Sequence, residues 1–199
     1  GKDNEKPLDE RDKKLIKYLI ENRHTSTLEH NQLTCKLVVP MPVRNQHQRH
    51  RSFKYTSINE KSLRYSSENI EFFAPDQFRT QHTKDRQASN DELSNPIVEP
   101  FDTKASDLLE AHYKHSLELY HKLLAAGICR EQARFALPVG IFTEYYMSVD
   151  LNNLFHFLDL RLDPRAQWEI RRVAEALQEI ATDLWPVAVN AYKETKANV

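Results

Sequence analysis

Chemistry-bearing side chains crowd between Gln46 and Tyr65, where the chain reads QHQRHRSFKYTSINEKSLRY. Arg49, His50, Arg51 and Arg64 can hold anionic oxygens, because the planar guanidinium fork matches phosphate or carboxylate. Glu60, with Ser57, Asn59 and Ser62, adds acceptors and hydroxyls of the kind that hold a sugar or the edge of a base. Basic residues alone favour a solvated loop or a nucleic-acid patch. The rest of the composition argues otherwise. The formal charge is -1, from 28 basic and 29 acidic residues, whereas a dedicated nucleic-acid binder is clearly basic. The cluster therefore serves a small anionic ligand. Glycine occurs only at positions 1, 127 and 140, so there is no glycine-rich phosphate loop, and a nucleotide must be gripped by side chains.

Those residues need a scaffold, and 199 residues suffice for a single domain spanning 1–199 with a real core. A hydrophobic content of 40% with 10% aromatics is globular. No run has the length of a membrane span or the pattern of a secretory signal, so a soluble cytoplasmic protein with no membrane partner is expected. Cys35 and Cys129 lack a CxxC partner, so neither a disulfide framework nor a cysteine zinc site is indicated. Both are expected as small buried hydrophobes. The segment HTSTLEH, His24 to His30, holds two histidines and a carboxylate, but its spacing fits no standard zinc motif and no metal is expected.

Along the chain, Asp9 can cap a helix whose Leu15, Ile16, Leu19 and Ile20 form an apolar stripe for the core. Leu33, Cys35, Leu37 and Val39 alternate like a half-buried strand that Pro40 and Pro42 stop, delivering the chain to the Gln46–Tyr65 cluster. Phe72, Phe73 and Phe78 around Pro75 suggest a packed loop or short edge strand. The polar text 79–100 is expected as a mobile surface loop. Ser106 is the expected cap of a long helix carrying Leu109, Tyr113, Leu117, Tyr120 and Leu124, with Gly127 ending it. Cys129 to Leu137 forms a further helical turn stopped by Pro138 and carrying Arg134. Val139 to Val149 suits a strand, with a buried helix as the alternative. Asp150 can cap a short helix from Leu151 to Leu160 in which a lone His156 is expected as a core histidine. Arg161 ends that helix, where a cation suits the macrodipole. Pro164 fits the first turn of the next helix, through Trp168, Ile170, Val173, Ala174, Leu177 and Ile180. Pro186 opens a final short helix, and fraying is expected over 193–199. There is no internal repeat.

Four of these stretches together resemble the flavin-dependent thymidylate synthases, the ThyX family. HTSTLEH is similar to its H-x-(S/T)-x-x-E-H element, and RHR with SINEKSLRY to its RHR…S-x-N-E-x-S-x-R-Y signature. ARFALP resembles A-R-x-x-L-P, and HFLDLRLDPRAQWEI resembles H-F-L-x-L-R…A-Q-x-E-I. The resemblance runs in order from about residue 9 to 195. Two departures stand out. SFKYT separates Arg51 from Ser57 with three residues more than the family pattern, so the two halves of the signature must be anchored separately. Asp150 and Asn152 stand where the family usually has Asn and Arg.

The resemblance implies an α/β (α+β) subunit with a central mixed or antiparallel sheet flanked by helices, assembled as a homotetramer with shared active sites. It implies that Gln46, Arg49, Glu60, Ser62, Leu63, Arg64 and Arg134 bind the uridylate. Ser26, Arg49, His50, Arg51, Glu60, Asp150, Asn152 and His156 would lie on FAD, and Arg161 would activate the pyrimidine. The implied reaction is C5 methylation of dUMP to dTMP, with methylenetetrahydrofolate as carbon donor and NADPH reducing the FAD. A thiol-dependent synthase would attack C6 with cysteine, and neither Cys35 nor Cys129 has such a setting. The nearest alternative keeps the chemistry but prefers UMP, as in a nucleoside-antibiotic pathway, the longer segment after Arg51 leaving room for a 2′-hydroxyl. A further alternative is a non-catalytic nucleotide or RNA binder.

Overall fold

A computed structural model describes residues 7–50, 58–64 and 69–197. These fall into two compact units, the first from residues up to Thr34 and from Ser148 onward, the second from the stretches between.

The first unit is helical: α1 (Glu10–Glu21), α5 (Leu151–Arg161), α6 (Trp168–Leu184) and α7 (Pro186–Ala197). Asp9 caps α1 as expected, its carboxylate accepting from the Arg11 and Asp12 amides, each at 2.9 Å, while the Asp12 carboxylate takes the Asp9 amide. The stripe on α1 is not core. No residue of α1 is buried, Leu15 is 54% exposed, and Ile16 and Leu19 line an open apolar groove with Leu28, Leu151 and Trp185. The core lies elsewhere, where Leu154, Phe157 and Leu158 of α5 join Ile170, Ala174, Leu177 and Ala181 of α6 and Val189 of α7. Helix α6 begins at Trp168, four residues beyond Pro164. The Asp163 carboxylate takes the Arg165 amide at 2.8 Å and the Ala166 amide bonds the Asp163 carbonyl, so 163–166 is spent as a turn. The last helix runs to Ala197 instead of fraying from 193. Tyr192 donates to Asp159, Lys196 pairs with the same carboxylate at 2.8 Å, and the Tyr192 ring stacks on Phe155 at 4.1 Å.

The second unit contains α2 (Met41–Gln48), β2 (Ile58–Glu60), the antiparallel hairpin of β3 (Phe78–Gln81) and β4 (Ser89–Ser94), the pair β5 (Ile97–Val98) and β6 (Thr103–Lys104), α3 (Ala105–Ala125) and α4 (Arg130–Ala133). Strands β1 (Gln32–Pro40) and β7 (Phe142–Asp150) carry the chain between the units and form, with β2, a three-stranded sheet of order β1-β7-β2. The architecture is thus mixed, helices with small antiparallel sheets. Leu33, Leu37 and Val39 are buried along β1 with Cys35 half-buried, the alternation expected of them. Pro40 and Pro42 do more than stop the strand. Pro40 sits at the N-cap and Pro42 in the first turn of α2, where their missing N–H groups cost nothing, so the cluster begins on a helix and not on a loop.

The polar stretch 79–100 carries most of β3 and all of β4 and β5. Ser106 does not cap α3: Lys104 holds that position without a side-chain bond. Asn95 supplies the cap instead, accepting the Ser106 amide at 3.0 Å and donating to the Ser106 hydroxyl at 2.8 Å. Gly127 ends α3 as expected, at φ 85°, with Ile128 N–H bonding the Leu123 carbonyl and Gly127 N–H that of Leu124. Cys129 then lies exposed at the N-cap of α4, not buried. Phe72 bridges Ile141 and stacks on Tyr113 at 4.7 Å. Gly140 is required at its place, since a Cβ there would fall 2.1 Å from the Tyr113 hydroxyl.

Candidate active site

Helix α2 and strand β2 present the cluster. Inward-facing His47, 2% exposed, bonds the buried Tyr145 hydroxyl through Nδ1 at 3.0 Å and seats the helix on β7. Burial raises the Tyr145 phenol, with the Arg44 charge opposing and that of Glu60 adding. Gln46 is half-buried on α2, Arg49 is exposed at its C-cap, and His50 is buried one residue on. Arg51 lies outside the described residues, as do the six that follow it, Ser57 included.

Glu60 pairs with Tyr145 across β2 and β7, and Lys61 N–H bonds the Glu144 carbonyl at 2.9 Å, which fixes the backbone entering Ser62–Arg64. Both oxygens of the Glu60 carboxylate are held, with acceptor capacity left on Oε2. Arg44 clasps the carboxylate with both Nε and Nη2, and Thr143 donates its hydroxyl at 2.8 Å. Neither Arg44 nor Thr143 stands out in the sequence. The i,i+4 link from Arg44 to Gln48 would have pointed to Arg44 only once 41–48 was known to be helix.

Beside this clasp opens a cleft of about 440 Å³, lined by Glu60, Lys61, Ser62, Leu63, Glu71, Arg134 and Glu144 among others. Four residues expected to hold the uridylate, Glu60, Ser62, Leu63 and Arg134, therefore meet although Arg134 lies some seventy positions on. Arg134 is exposed at the start of a 3-10 turn after α4, its guanidinium available to an anion. Arg64 lies close by in sequence and pairs with Glu131 of α4 at 3.5 Å. Glu144 is held below the usual carboxylate range by its hydrogen bond and pairing with Lys36 at 2.6 Å, so its charge is largely matched.

The remaining expected residues belong to the first unit. Asp150 is buried and caps α5, accepting the Asn153 amide at 2.9 Å and its side-chain amide as well. It lines a shallow groove with Glu29 and His30, so the HTSTLEH block and the start of α5 come together; Leu151 N–H bonds the Asn31 carbonyl there at 2.9 Å. Ser26 is exposed on the 3-10 turn Thr25–Thr27. Asn152 and His156 share a face of α5, one turn apart, and His156 is exposed, which corrects its expected place in the core. Arg161 ends α5 about 140° round the helix from His156, half-buried, and burial lowers its guanidinium from the ordinary value. Burial raises the Cys35 thiol, away from nucleophilic thiolate. Among the described residues no three His, Cys, Asp or Glu side chains are grouped to hold a metal, and no helix is long and apolar enough to cross a membrane.

Fold and cleft define a mixed α/β protein that builds an anion-competent pocket from side chains. The family model described as thymidylate synthase complementing protein matches residues 1–187. A flavin-dependent thymidylate synthase of Thermus thermophilus is 42% identical over 92% of this chain, which spans 64% of that protein's length. That of Thermosipho africanus is 37% identical over 92% of this chain and 77% of its own. A crystal structure of the UMP/dUMP methylase PolB from Streptomyces cacaoi bound with 5-bromo UMP is similar at TM-score 0.79 and 30% identity, covering 93% of this chain and 84% of that one. The 5-bromo dUMP complex gives TM-score 0.80 at 29% identity. The chain belongs to the family of flavin-dependent thymidylate synthases.

Proposed function

We propose that this protein methylates C5 of a uridine monophosphate, converting dUMP to dTMP. The observation that carries the reading is the cleft in which Glu60, Ser62, Leu63 and Arg134 meet. Arg134, with Arg49 and Arg64, secures the phosphate, so that binding energy at the phosphate is spent on orienting C5. Ser62 positions and does not attack: its hydroxyl oxygen accepts the Arg64 backbone amide at 3.3 Å, a contact that fixes the side chain beside the cleft. Arg161 is the activating residue: set against the pyrimidine edge, it stabilises negative charge developing at N3 and the adjacent carbonyl as C5 becomes nucleophilic.

The residues present suit FAD in most respects. Arg49 is an exposed cation for a diphosphate, and Ser26, His50, Asn152 and His156 are hydrogen-bonding groups for the ring or sugar edges. Asp150 suits it less, since the same carboxylate is buried and already bonded to Asn153. Bound FAD supplies the hydride chemistry, with NADPH as reductant and methylenetetrahydrofolate as carbon donor. The assembly in this reading is a homotetramer with shared sites in the cytoplasm, without nucleic acid.

The test is activity with the thiols and the arginine removed in turn. Cys35→Ala and Cys129→Ala keep most activity, and Arg161→Ala loses about 10²-fold or more in kcat. A dead but folded Cys129→Ala protein sinks the assignment. A second reading takes UMP as preferred substrate; the similar UMP/dUMP methylase is seen with analogues of both nucleotides, so the likeness is compatible with either. Turnover of dUMP against UMP at equal concentration separates the two. Colourless protein that cannot be reconstituted with FAD would instead support a non-catalytic binder.

A further inference from the structure

Glu60 would contribute little as a ligand if its carboxylate were free to rotate, and the structure provides one side chain that stops it. Arg44 approaches from α2 with Nε 3.1 Å from Oε1 and Nη2 on Oε2, a bidentate fork on a strand residue sixteen positions away. Its side chain is 14% exposed and that of Glu60 25%, so the pair is largely shielded from water. Thr143 of β7 holds Oε1 from another direction at 2.8 Å. Arg44 also bonds Gln48, which stiffens it along its own helix.

The fork joins the two halves of the basic cluster. Gln46 and Arg49 ride on α2 with Arg44; Ser62, Leu63 and Arg64 follow Glu60 directly on leaving β2. We propose that Arg44 is a positioning residue for the nucleotide cleft, fixing the Glu60 carboxylate and holding α2 in register with β2. This rests on the uridylate reading of the cleft. Lysine cannot replace it, since a single ammonium cannot span both carboxylate oxygens. Thr143 is the subsidiary prop, and its loss leaves the fork intact.

The experiment measures uridylate affinity by calorimetry, and kcat and KM, for wild type, Arg44→Ala, Arg44→Lys and Thr143→Val, each with bound-flavin absorbance. Arg44→Ala is expected to weaken dUMP or UMP binding and raise KM at least tenfold. Arg44→Lys recovers less than half of that on a logarithmic scale, and Thr143→Val loses no more than about threefold. If Arg44→Ala does not fold, Arg44→Lys decides alone: tenfold weaker binding supports the role, and wild-type binding overturns it. A folded Arg44→Ala protein with wild-type affinity and KM also overturns it, leaving the uridylate reading intact. Wild-type protein that binds neither dUMP nor UMP overturns that reading and the positioning role with it.

Discussion

Replacing Gly140 by alanine tests the packing behind the cleft. The added Cβ would lie 2.1 Å from the Tyr113 hydroxyl oxygen and 2.7 Å from Cζ, against an ordinary contact of about 3.5 Å. The phenol must retreat by more than an ångström. It is not free to do so, because its ring is stacked on Phe72 at 4.7 Å and its hydroxyl donates to the Phe73 carbonyl at 3.1 Å. Losing that bond costs about 1 kcal/mol and the overpacking about 1–3 kcal/mol, while a stiffer unfolded chain returns about 0.4–1 kcal/mol. The net expectation is a loss of about 1–3 kcal/mol. It is read as a lower urea midpoint at unchanged slope. Tyr113→Phe removes the atom in closest contact, so Gly140→Ala should cost less in that background, Cζ at 2.7 Å keeping part of the clash. Gly140→Ala within about 0.5 kcal/mol of wild type, or a cost unchanged by Tyr113→Phe, would refute the reasoning.

Tyr192→Phe, which takes away the donor to Asp159, should cost about 1 kcal/mol in urea unfolding; no change would mean that Lys196 alone holds the carboxylate. Asp163, beside the Arg165 guanidinium and its backbone amide, is held at about 2 against an ordinary 3.8. A depressed carboxyl contributes stability that is present above 3.8 and lost as pH falls through about 2; carbon-13 titration with a midpoint near 3.8 would contradict this. Burial raises Tyr113, Tyr145 and Tyr192, so these phenols should titrate after the ordinary value of 10, with stability present below pH 10 and draining above it. Ultraviolet absorbance of the phenolate checks this, and Tyr145→Phe should remove part of the late phase without touching the early one.

The elements legible in the sequence are those whose signal is local. Asp9 and Asp150 as caps, Gly127 as a helix stop and the alternation of β1 need only neighbouring residues to be interpreted, and each is found as expected. What was missed depends on partners distant in sequence. The hairpin of β3 and β4 has little apolar periodicity because its strands are polar and half-exposed on both faces. Helix α2 hides behind two prolines that look like strand stops, although both stand where a helix start tolerates them. The α1 stripe is amphipathic without being buried in the chain itself. In the cleft, composition and motif pointed to Glu60 and Arg134. That Arg44 and Thr143 take hold of Glu60 is a fact of tertiary structure, invisible to spacing.

Asn95 supplies the bonds that a helix of this length normally finds at its own N-cap, and it does so from outside the helix. The first turn of α3 is therefore borrowed from the segment before it: if 78–98 opens, Ser106 loses an acceptor for its amide and its hydroxyl loses the Asn95 donor. Amide exchange at Ser106 becomes a clock for that opening, and its protection should rise and fall with that of β4, while the middle of α3 around Tyr120 keeps its own slower time.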